Sequence, residues 1–66
     1  MQYPYGVVIT RNDDSELIDY RCRWMSDAEF HAKNAVVPNP AVFRRIEVID
    51  FAADSRFAIW DKEWPL

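Results

Sequence analysis

Hydrophobic and polar residues change rhythm along this chain in a way that predicts a small sheet and one helix. Val7, Val8 and Ile9 form a β-branched run leading into Thr10 and Arg11, and β-branched side chains suit a pleated strand. Asn12-Asp13-Asp14-Ser15 reads as a turn, because Asn, Asp and Ser side chains hydrogen-bond their own backbone. From 16 to 24, Ile18, Tyr20, Cys22 and Trp24 alternate with Asp19, Arg21 and Arg23. A period of two fits a half-buried strand and predicts an antiparallel hairpin with the first run. Tyr20 and Trp24 are expected in the core.

The rhythm then turns helical. Ser26-Asp27-Ala28-Glu29 has the form of a capping box, and Ala28, Ala32, Ala35 and Val36 recur as a stripe of small residues at helical spacing. Pro38 and Pro40 stop the helix, which is expected over 27–36. A third strand follows over 42–51, with Ile46 and Val48 on one face and Arg45, Glu47 and Ile49 on the other. A turn at 52–55, a fourth strand over 56–60 with Phe57 or Trp60 in the core, and a tail complete the layout. The fold class is therefore α+β: one domain, 1–66, with a small four-stranded, mainly antiparallel sheet and one short helix packed on it, ββαββ. A helix between the second and third strands carries the chain back across the sheet, so those strands run the same way. That places Asp13, Asp14, Glu16, Asp61 and Glu63 at one end, diluted by Arg11 and Lys62. Asp27, Glu29, Asp50 and Asp54 gather at the other.

Composition narrows what such a domain does. Ten aromatics stand beside one Gly, one Cys and one His in 66 residues. A domain of this size buries only about 60% of the surface of its unfolded chain. Cys22 alone makes no intrachain disulfide, and with His31 it is too small a set for a structural zinc site. Buried aromatics are then the natural source of stability. Eleven acidic against eight basic residues give a net charge of −3, which argues against neutralising nucleic-acid phosphates. No apolar stretch approaches the ~20 residues of a membrane span. Residues 1–5 lack the basic and apolar regions of a signal peptide. A cytoplasmic protein is expected, with no cofactor and no metal.

Candidate chemistry is sparse. Cys22 and His31 are the one nucleophile–base pair, and their positions read as a buried thiol and a partly buried histidine. Asp13/Asp14 and Asp61/Glu63 lie in a turn and a tail, where solvated charge is the default and binding a basic partner is the functional use. Gly6 alone cannot build a phosphate loop, and Arg44-Arg45 reads as an exposed strand start. Single-strand nucleic-acid binding through sheet aromatics lacks its basic groove. Trp64, beside Pro65, is either a lid on the core or an exposed anchor.

In format this tiny acidic chain, with its four-strand-plus-helix plan, acidic turns and hairpin from Val42 to Trp60, is similar to phage-encoded anti-CRISPR proteins. The resemblance rests on layout and on no signature motif. It implies a non-catalytic inhibitor, acting in the cytoplasm of the host bacterium, that occupies a basic DNA-handling surface of a CRISPR effector subunit. The acidic turns suit that role, since carboxylates pair with the Arg and Lys that otherwise hold phosphate. On this expectation the partner-binding residues are Asp13, Asp14, Glu16, Asp61, Glu63 and Trp64, the protein is a monomer, and it touches neither nucleic acid nor membrane. The alternative is a small accessory or regulatory module, a homodimer that buries Trp60 and Trp64.

Overall fold

The β-branched run at the start of the chain occupies the interior of a four-stranded sheet. The computed structural model describes residues 3–64. Its elements are β1 (Tyr5–Arg11), β2 (Glu16–Cys22), α1 (Met25–Asn34), β3 (Phe43–Asp50) and β4 (Ser55–Asp61). The sheet order is β2-β1-β3-β4 and every neighbouring pair is antiparallel. β2 and β3 both oppose β1, so they run the same way with β1 between them, as a helical crossover requires.

One face carries the core. Val7, Ile9, Cys22, Ile46 and Val48 from the sheet meet Ala28, Ala32 and Val36 from the helical segment, flanked by Tyr5, Met25, Phe43, Ile59 and Trp60. Full burial of each Val or Ile contributes about 1.5–3 kcal/mol. The alanines let α1 lie close to the strands. Ala35, expected in the same stripe, is exposed because α1 ends at Asn34 and the chain turns there; Val36 still reaches the core.

The capping box is absent. α1 begins two residues before the expected start, with Trp24 as the N-cap residue and no side-chain cap bond. The Trp24 carbonyl accepts from the amides of Asp27 at 3.1 Å and Ala28 at 3.3 Å. Ser26 and Glu29 therefore lie within the helix. Met25 explains the shift: it falls three and seven residues before Ala28 and Ala32, on their stripe, and packs on the core. Tertiary packing outweighs a local cap signal.

The alternation in β2 is also broken. Val7 faces Tyr20 but Val8 faces Ile18, which leaves Asp19 as an extra residue in a bulge. Ile18 and Tyr20 consequently lie on opposite faces of the sheet. β2 ends at Cys22, and Trp24 falls beyond it at the helix cap, 65% exposed. Neither Tyr20 nor Trp24 is in the core, and Phe57 is also exposed; of the expected aromatic staples, Trp60 packs against the core. A second bulge, at Ile59 in β4, means that both edge strands are interrupted, which protects an open sheet from pairing with another chain.

The other face has no helix, yet Val8, Thr10, Glu47 and Ile49 on its central strands are buried. Two side-chain straps cover it. Arg56 on β4 grips Glu16 on β2 at 2.7 and 3.2 Å, spanning the sheet from edge to edge, and comes within 3.6 Å of Glu47. Beside Gly6 the Arg21 guanidinium stacks 3.9 Å over the Phe51 ring, which in turn lies against that glycine.

Candidate protein-binding surfaces

Topology brings Asp13, Asp14, Glu16, Asp61, Glu63 and Trp64 to one end of the sheet, as expected from the crossover. It also brings arginines there. Asp14 lies 2.9 Å from Arg44, Asp61 lies 3.1 Å from Arg45, and Glu16 is held by Arg56. Asp13 accepts from the Ser15 hydroxyl at 2.6 Å and from its amide at 3.0 Å. These partners hold the carboxyls of three acids below the ordinary range. For Asp13 the Ser15 hydroxyl is the main cause; for Glu16 it is the Arg56 guanidinium; for Asp61 it is the Glu63 amide, with Arg45 adding to it. This end is a lattice of alternating charge more than an acidic pole. Among the described residues, Asp13 and Glu63 are the members of the set without an arginine partner. Trp64 is half exposed, its amide donating to the Asp61 carbonyl at 3.0 Å.

The opposite end carries the aromatic surface. Tyr3, Tyr20, Arg21, Cys22, Arg23, Trp24 and Asp27 line an open groove of about 240 Å³. Arg21 donates to the Tyr3 carbonyl at 2.6 Å, and the Arg23 guanidinium sits 5.6 Å from the Tyr3 ring centre. Beside the groove, the bulge turns Asp19 and Tyr20 toward the same helix residue. Asp19 accepts from His31 Nε2 at 2.7 Å, and the Tyr20 ring stacks on the imidazole with centroids 4.2 Å apart and planes 7° from parallel. That brace ties edge strand β2 to α1 and fixes the groove wall.

The candidate nucleophile and base each have another partner. Cys22 is buried and its thiol donates to the Trp24 carbonyl at 3.1 Å; burial raises its pKa above the ordinary thiol value. A raised pKa suppresses the thiolate that nucleophilic chemistry uses. His31 is engaged by Asp19. No cluster of three or more metal-ligating side chains occurs among the described residues, and none of their helices is long and apolar enough to cross a membrane.

Sequence reasoning missed Tyr3, Tyr20, Arg23 and Trp24 as a surface. The readable signal was Arg23-Trp24 placed directly before a helix; the bulge at Asp19 left no mark in the alternation. No family model matches this chain, and comparison with curated proteins and with solved structures finds none similar to it.

Proposed function

We propose that this protein works by binding another protein, without catalysis, and that the aromatic end is its docking face. The observation that carries this reading is Trp24, 65% exposed at a helix cap beside Tyr3, Tyr20 and Arg23. Trp, Tyr and Arg are the residue types that dominate binding energy at interfaces. A chain with so small a core gains nothing in stability from leaving a tryptophan in water. A second reading, carried by the opposite end of the sheet, is an inhibitor that occupies a basic DNA-handling surface of a CRISPR effector. Its support is the format of the chain together with Asp13 and Glu63, the acids whose charge is least compensated; Asp14, Glu16, Asp61 and Trp64 would flank them.

Two variants separate the faces. Tagged protein is used to retain its partner from a bacterial lysate expressing CRISPR effectors, and affinity for the purified partner is then measured. Trp24→Ala is expected to weaken binding by about 30-fold, the cost of removing a hot-spot side chain, with the folded NMR spectrum intact. Reversal of Asp13 and Glu63 to Lys is expected to weaken binding about tenfold at low salt and to flatten its salt dependence. Full-strength binding by Trp24→Ala sinks the docking face. Unchanged binding and salt dependence in the double reversal sinks the acidic contact with a basic surface.

A further inference from the structure

We propose that the aromatic groove takes an acidic peptide segment, with an apolar side chain of the segment on Trp24 and a neighbouring carboxylate on Arg23. The inference rests on the reading of the aromatic end as the docking face and names the chemistry of what docks there.

Positive charge is in excess at this groove although the chain as a whole is acidic. Arg21 and Arg23 in its lining stand against Asp27, while the chain carries −3. The arginines are unequally used. Arg45 is held by Asp61 at 3.1 Å and Arg56 by Glu16 at 2.7 Å. Arg44, an extra residue in β3 where Thr10 faces Arg45 and Arg11 faces Phe43, lies 2.9 Å from Asp14. Arg11 donates to the Ser15 hydroxyl at 3.2 Å, and Arg21 is fastened to the Tyr3 carbonyl and stacked on Phe51. Arg23 is different. Among the described residues its exposed guanidinium has no hydrogen-bond acceptor and no carboxylate, and it rests 5.6 Å from the Tyr3 ring centre. A ring engages the flat face of a guanidinium and leaves the N–H fork at its edge open to a carboxylate.

A carboxylate meeting Arg23 in open water would contribute little. The exposed rings alter that. A segment lying across Trp24 and Tyr3 removes water from around Arg23, and a charge pair strengthens as its surroundings lose water. An apolar anchor and an adjacent acid therefore reinforce each other. Asp27, in the first turn of α1, repels an acid on the helix side, so the partner's carboxylate belongs on the Tyr3 side of Trp24. A basic segment would instead set its cations against Arg23. The wall is already rigid, because Tyr20 stacks on His31 and His31 is held by Asp19. Preorganisation of that kind lowers the ordering cost of binding.

The test is a selection of random peptides, displayed on phage, against the immobilised full chain, with a parallel selection against Trp24→Ala. Peptides retained by the native chain and lost on Trp24→Ala are expected to be enriched in Asp and Glu beside a leucine, isoleucine or aromatic residue. Synthetic copies of the enriched peptides are then titrated. Arg23→Glu should weaken them by about tenfold or more and turn the selected preference toward Lys and Arg. Lys33→Glu makes the same change of net charge outside the groove and should alter affinity by less than about twofold. The composition of the selected peptides reads the preference without any change at Arg23. Trp24-dependent peptides with no acidic preference, native-strength binding by Arg23→Glu, or an equal loss in Lys33→Glu would overturn the acidic occupant and leave the docking face standing. Absence of any Trp24-dependent peptide would overturn both. Concentration-dependent assembly of the chain alone, lost in Trp24→Ala and in Arg23→Glu, would seat a second copy in the groove and overturn the proposal as well.

Discussion

Arg56 and Glu16 meet across the width of the sheet, one from each edge strand, and close the face that the helix leaves open. Their contact is bidentate, the favourable geometry for a guanidinium and a carboxylate. Both side chains are more than a third exposed, at 37% and 46%, so solvent screens the pair and its removal in Glu16→Gln should cost about 0.5–1 kcal/mol at neutral pH. The pH dependence has a defined sign. Arg56 holds the Glu16 carboxyl below its ordinary range, so the stabilisation is present above the unfolded pKa and is lost as pH falls through the folded one. Urea midpoints measured below about pH 5 should fall steeply for the native chain and less steeply for Glu16→Gln. Parallel slopes for the two chains would show that the strap does not couple to folding. The exposed turn positions of Asp13 and Asp14 were legible from sequence, whereas Asp61 is largely buried against Arg45. The arginine partners of the acids were not legible, because Glu16 and Arg56 lie forty positions apart and meet only when four strands are ordered.

At the scale of elements, close approach controls the packing. Gly6 sits on central strand β1, and a Cβ there would lie 2.7 Å from the Tyr20 carbonyl and 3.0 Å from the Phe51 ring. The first of these is backbone and cannot step aside. Gly6→Ala should therefore push β2 away from β1 or distort the bulge at Asp19, destabilising the domain by about 1–3 kcal/mol in chemical denaturation. A change below about 0.5 kcal/mol would mean that β2 shifts freely, and that the Tyr20–His31 stack is a soft contact. Strand existence and helix existence were readable because each has its own period, two or 3.6. The bulges at Asp19, Arg44 and Ile59 were not, since an extra residue is dictated by which strand lies alongside. The helix start was misread for a related reason: Ser26 and Glu29 carry a local signal, whereas Met25 is drawn into the helix by a core assembled from distant strands.

The molecule as a whole places its aromatics mostly outside. Ile, Val and Ala make the buried centre, while Trp24, Phe30, Phe57 and Trp64 are about half exposed or more. Cys22 reports on the integrity of that centre, because its thiol lies in the core and burial raises its pKa. Thiol labelling at neutral pH should be about 1,000-fold or more slower in the native chain than in urea, since reaction waits for opening of the strand-helix layer. Labelling within about tenfold of the denatured rate would show that β2 and the start of α1 open locally, and the wall of the aromatic groove with them. Slow labelling together with exposed tryptophan distinguishes a rigid docking face from a loosely folded end.

By itself the sequence determined the α+β layout, the direction of β2 relative to β3, the burial of Cys22 and the gathering of Asp13, Asp14, Glu16, Asp61 and Glu63 at one end. Those follow from short-range periodicity and from the geometry of a crossover. Only the tertiary structure decided which charges are compensated and which aromatics face water. Both depend on strand order and on single-residue bulges, and a shift of one residue carries a side chain to the other side of the sheet.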